Sequence, residues 1–116
     1  MDLVSPKPKK QQDVEFYFLG HDYKIAFVES DQIDGNSDNP DYKTLGEYNG
    51  RTRTVTIDQA LTSSHKSEVI LHELMHLCEH KLGYAFDESV IAGLTTLIYG
   101  LLAENEPIRA LIFPKD

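Results

Sequence analysis

The strongest constraint on how this chain can fold is a change of hydrophobic period near residue 58. Before it, apolar and β-branched residues come in short runs broken by turn formers. Residues 14–19 and 23–29 are rich in aromatic and β-branched side chains and are separated by Gly20-His21-Asp22, which reads as a hairpin. Residues 44–48 and 51–57 flank Asn49-Gly50, the strongest short hairpin-turn signal. Thr52, Thr54 and Thr56 alternate there with Arg53, Val55 and Ile57, giving a strand with one wetter face. Beyond residue 58 the period lengthens. Between residues 67 and 82, Ile70, Leu71, Leu74, Leu77, Cys78 and Leu82 recur at helical spacing, and Gly83 suits the position just past a helix end. A second helix is expected over about residues 88–104, with the Asp87 carboxylate capping its free N–H groups. Asn105 and Pro107 then open a short last helix through Ile112. Strands first and helices after predict an α+β domain: a small antiparallel sheet of two hairpins, 14–29 and 44–57, packed on the helices at about 67–82 and 88–104.

The 116 residues leave room for one domain, 14–116, behind a flexible polar tail, 1–13, in which Pro6 and Pro8 alternate with lysines. A formal charge of −8 argues against a nucleic-acid partner, since such domains usually carry a basic face. The lone Cys78 allows no intrachain disulfide and its spacing fits a packed core thiol, so a reducing, cytoplasmic setting is expected (the host-cell cytoplasm for a phage-encoded chain). The first 30 residues show no signal-peptide pattern. No membrane association is expected either: the longest apolar segment, residues 90–103, is interrupted by Gly93, Thr95, Thr96 and Gly100 and reads as a buried helix. Gly93 and Gly100, seven apart, suggest close helix packing. The Asp34-Gly35-Asn36-Ser37-Asp38-Asn39 run begins like a calcium loop but carries Asn39 where that loop needs Gly and Leu45 where it needs Glu, so it reads as an acidic loop. Nothing in the pattern commits the chain to an oligomeric state.

The chemistry concentrates in His72-Glu73-Leu74-Met75-His76. Residues four apart on a helix share a face, so both imidazoles can reach one ion, and Zn2+ accepts neutral imidazole and few ligands. Glu73 in this pattern is the general base, the catalytic residue, for a metal-activated water. A catalytic site needs a third protein ligand. His80 continues the series, but it lies eight residues from His72, about 12 Å along the axis, and imidazoles so spread converge poorly on one ion. It suits the negative helix end instead. Glu88 is the better candidate: a reversal at Gly83 brings it back at the head of the stripe Ile91, Thr95, Ile98 and Leu102. Asp87 competes, although capping already accounts for it. Tyr42, Tyr48, Tyr84 and Tyr99 are candidates to stabilise an oxyanion.

The five-residue motif, followed by Leu82-Gly83 and Asp87-Glu88, resembles the zincin metallopeptidases. From residue 44 to residue 113 the order of elements looks like the compact metallopeptidases of phages and mobile elements, related to ImmA/IrrE-type and loosely to SprT-like peptidases. That resemblance implies a zinc peptidase with His72 and His76 as ligands, Glu73 as base and proton shuttle, and Glu88 as the third ligand. Its substrate would be a peptide or protein bound by β-addition along the strand ending at Ile57. The alternative is a non-catalytic, zinc-containing interaction module that keeps the metallopeptidase fold. An intact Glu73 speaks against it, because a structural site has no use for a base.

Overall fold

A computed structural model describes residues 11–33 and 44–115. Its order is β1 (Val14–Phe18), β2 (His21–Val28), a single 3-10 turn (Ser30–Gln32), β3 (Gly46–Asn49), β4 (Thr54–Asp58), α1 (Ser63–Leu82), α2 (Glu88–Ala103) and α3 (Glu106–Ile112). Tyr42, the run from Asp34 to Asn39 and the first ten residues of the expected tail lie outside the described residues; residues 11–13 are exposed and in no helix or strand.

The α+β arrangement is as expected, and both hairpins are antiparallel. They join through a parallel pairing of β2 with β4, so the four-stranded sheet is mixed, with the order β1-β2-β4-β3. This corrects the expectation of a purely antiparallel sheet. It also corrects the expected edge: the strand ending at Ile57 is β4, and both of its sides are taken, by β2 and β3. The reason is local to β4. Val55, Ile57 and Asp58 are all buried, and such a strand is stable only with a neighbour on each side. Among the described residues, the outer edges of the sheet belong to β1 and β3.

Both turns differ from their sequence signals. The first uses Leu19 and Gly20, with φ of 47° and 90°, because a two-residue hairpin turn needs positive φ at both central positions. His21 and Asp22 therefore belong to β2. In the second, Asn49 stays in β3 and Gly50 is not left-handed. Oδ1 of Asn49 accepts from the N–H groups of Arg51 (3.0 Å) and Thr52 (3.3 Å), so a longer loop winds on that side chain. Arg53 closes it with φ 53°.

The inner face of the sheet holds Phe27, Val55 and Ile57, all fully buried, with Val69, Ile70 and Leu74 of α1 packed over them. Burying each such side chain contributes about 1.5–3 kcal/mol. α1 starts at Ser63, four residues before the expected start, because Thr62 caps it: its side chain accepts from the His65 N–H. Gly83 ends it at φ 76°. α2 lies on α1 through Ile91 and Thr95, which are buried. The rest of residues 90–103 was expected to be buried, yet Val90, Leu94, Leu97 and Leu101 are exposed, Leu97 by 71%. A Cβ at Gly93 or Gly100 would meet no atom within 4 Å, so no described element packs closely on these glycines. One neighbouring helix can cover only one stripe of α2. No described helix is long and apolar enough to cross a membrane.

Gly46 sets how closely α1 approaches β3. A Cβ there would lie 2.9 Å from Cγ1 of Val69 and 3.1 Å from both Ile57 Cδ1 and the Thr56 carbonyl oxygen. Val69 is β-branched and the carbonyl is backbone, so neither yields easily. Gly46→Ala is therefore expected to lose about 1–3 kcal/mol of stability through overpacking, read as a lower denaturation midpoint with an unchanged slope. An unchanged midpoint would mean that α1 can retreat from the sheet at no cost.

Candidate metal centre

α1 carries His72 and His76 one turn apart on the face toward α2, with ring centroids 5.0 Å apart. After Gly83 the chain reverses through residues 84–87 and α2 begins at Glu88, whose carboxylate enters between the imidazoles. Its Oε1 is 2.7 Å from Nε2 of His72, and its Oε2 is 3.2 Å from Nε2 of His76. Each of the three residues offers a ligand atom, all within 4.8 Å of one another, close enough to hold a metal ion. Neither alternative third ligand joins them. His80 turns away, packing its ring 6.0 Å from that of Tyr48 and against Gly50. Asp87 occupies the cap position of α2 but makes no side-chain cap bond, contrary to expectation; its backbone carbonyl accepts from Val90 and Ile91.

The donor chemistry suits a cation. Nδ1 of His76 donates to Oε1 of Glu79 at 2.9 Å, which fixes the tautomer and leaves Nε2 facing Glu88. Glu79 is itself held, because its Oε2 accepts the Phe86 N–H at 2.5 Å. One carboxylate thus orients the His76 imidazole and ties down the reversal that delivers Glu88. Sequence reasoning passed over Glu79. Its signal was the i, i+3 spacing from His76 on the same helix, which puts the two side chains within reach of each other.

Glu73, next to His72 on α1, lines the same cavity as the two imidazoles and Glu88 and is only 7% exposed. Burial pushes its carboxyl above the ordinary carboxylate range, with the His76 and His72 imidazoles pulling it down and Glu88 and Glu47 pushing it up. Burial alone would pull the His76 imidazole down. Its hydrogen bond to Glu79 and the carboxylates of Glu73, Glu88 and Glu79 outweigh that and raise it. Glu79 is lowered by the same bond and by the Phe86 N–H. Two carboxyls on one helix are thus pushed in opposite directions, a pattern that recurs where one group must exchange protons and the other must stay charged.

The three ligand residues and Glu73 open onto a cavity of about 750 Å³ whose opposite wall is β3, through Gly46, Glu47 and Tyr48. Glu88 is the exposed member, its side chain 67% accessible, so the ligand group faces the cavity and is not sealed. Tyr48 and Tyr84 line it as well; Tyr99 does not. Comparison with protein-family models, with curated proteins and with solved structures finds no match for this chain.

Proposed function

We propose that this chain is a zinc-dependent peptidase of the zincin kind, with the His72, His76 and Glu88 side chains holding the metal and Glu73 as general base. The observation that carries the reading is the convergence of those three side chains beside a buried Glu73, all lining one open cavity. Two imidazoles and a carboxylate are the donor set of a three-ligand catalytic zinc site with one open position. The ion supplies Lewis-acid polarisation of a carbonyl and a water made acidic enough to lose a proton near neutral pH. The chain's own residues do the rest. Glu73 takes that proton on its carboxylate and returns it to the departing amine, which its raised proton affinity favours. Glu79 keeps Nδ1 of His76 protonated so that Nε2 serves as donor. A peptide is received along the outer edge of β3, which borders the cavity, in place of the β4 edge expected from the sequence.

A protein purified without chelator is expected to contain about one zinc per chain by elemental analysis, and His72→Ala to contain almost none. Wild-type protein free of zinc, or zinc content unchanged in His72→Ala, sinks this reading.

A further inference from the structure

The inner face of the sheet alternates with the pleat. Tyr23, Ile25 and Phe27 of β2 and Val55 and Ile57 of β4 follow one another on it. At the end beyond the last turn of α1, the same alternation continues but the residue types change. The next inward positions are His21 and Arg53, and β3 adds Tyr48. The end of α1 supplies His80 and Lys81. Together with Tyr23 these line a cavity of about 330 Å³. An arginine, a lysine, two imidazoles and two phenols meet there, and among the described residues no carboxylate lines it, in a chain whose formal charge is −8.

Three further observations show that the corner is built and that its charges are available. Arg53 sits at φ 53°, a left-handed conformation that non-glycine residues disfavour, and its carbonyl is held there by the Lys24 N–H at 3.0 Å. A glycine or asparagine would fill that turn position with less strain, so the arginine side chain is not explained by the turn. Arg53 Nη1 donates to Nδ1 of His21 at 2.9 Å, leaving most of the guanidinium donors open. Lys81 lies over the Tyr23 ring at 5.5 Å, and among the described residues neither cation is paired with a carboxylate. The carbonyls of Glu79 and His80, which would repel an anion, are taken by the Gly83 and Tyr84 N–H groups.

The corner is continuous with the larger cavity through Tyr48, Gly50 and His80, which line both. His80 is one turn beyond His76, about 6 Å along the axis, whereas an extended peptide advances about 3.3 Å per residue. We propose that this corner is a subsite for a carboxylate of the peptide, two to three residues from the bond that is cut. This inference rests on the peptidase reading above. It narrows the substrate class to acidic peptides or peptides ending nearby. β3 and α1 run in the same direction here, with Gly46 against Val69 and Gly50 against His80. A peptide paired antiparallel to β3 brings an Asp or Glu side chain on its amino-terminal side to the corner. One paired in parallel brings its terminal carboxylate.

The test is binding, measured by titration calorimetry at low salt on the full chain carrying Glu73→Gln, so that no turnover intervenes. Three N-acetylated hexapeptides are compared: an amidated one with a central Glu, an amidated one with Gln in its place, and the Gln peptide with a free carboxyl terminus. One of the two anionic peptides is expected to bind roughly ten- to a hundredfold more tightly than the neutral one, the scale of a charge-assisted hydrogen bond, and which one does identifies the source of the carboxylate. Arg53→Asn, which suits the left-handed backbone, and Lys81→Met should each abolish the difference, while Lys24→Ala, on the outer face, should keep it. Equal binding of all three peptides overturns the proposal, as does a preference that survives both corner variants. Hydrolysis by wild type without any acid preference would leave the peptidase standing and remove only the subsite. Acid-dependent binding without hydrolysis would do the reverse.

Discussion

Glu73→Gln is expected to keep its zinc and its fold and to lose peptide hydrolysis by about 10²- to 10⁴-fold, the usual contribution of a general base. Gln is nearly isosteric with Glu, and Glu73 makes none of the contacts that gather His72, His76 and Glu88. The fold should tolerate the change well, because burial already raises the proton affinity of the carboxyl and an amide introduces no charge to desolvate. The measurement is digestion of a denatured protein or a peptide library, read by mass spectrometry, beside the zinc content of each variant. Cleavage by wild type alone supports the assignment. Equal cleavage by both points to a different base or a contaminant. Zinc in both and cleavage by neither transfers the case to a non-catalytic zinc module.

The second large effect concerns the third ligand. Glu88→Ala should weaken zinc binding by more than the 10- to 100-fold typical of losing a residue that merely orients a ligand, whereas His80→Ala should change it little. The basis is geometric: both Glu88 oxygens face the imidazoles, at 2.7 and 3.2 Å, while the His80 ring packs on Tyr48 and Gly50. Competition with a chromophoric chelator gives both affinities on one scale. The opposite order would place His80 on the metal and would require α1 to bend between His76 and Gly83. Glu88→Gln sharpens the result, because an amide keeps the shape of the side chain and removes the charge that favours a dication.

The helical half of the fold was legible because its signals are local. Gly83 ends α1 where the period of Ile70, Leu74 and Leu77 stops, and Pro107 falls in the first turn of α3. His72, Glu73 and His76 were legible for the same reason, since four residues along a helix is a fixed displacement whatever surrounds it. The β half was harder. Asn49-Gly50 advertises a two-residue turn, but the Asn49 side chain captures two backbone N–H groups and extends the loop to the left-handed Arg53. Turn chemistry is local too, yet two local solutions competed and strand pairing chose between them.

What the sequence determined by itself was therefore the set of elements and the part of the site carried on one helix. The tertiary structure alone decided the parallel joining of β2 to β4, and with it the interior place of β4 and the outer edge of β3 beside the cavity. It decided that Glu88, not Asp87 or His80, closes on the two imidazoles, and that Glu79 supports His76. It also left the outer stripe of α2 exposed where apolar composition suggested burial. The physical reason is common to all of these. Periodicity states which faces want covering and how far apart residues lie along one element. Which surface covers a face, and which side chain from another element reaches a given atom, depends on how the elements pack, and α1 is placed by inward residues of three strands, one of them, β2, far from it in the chain.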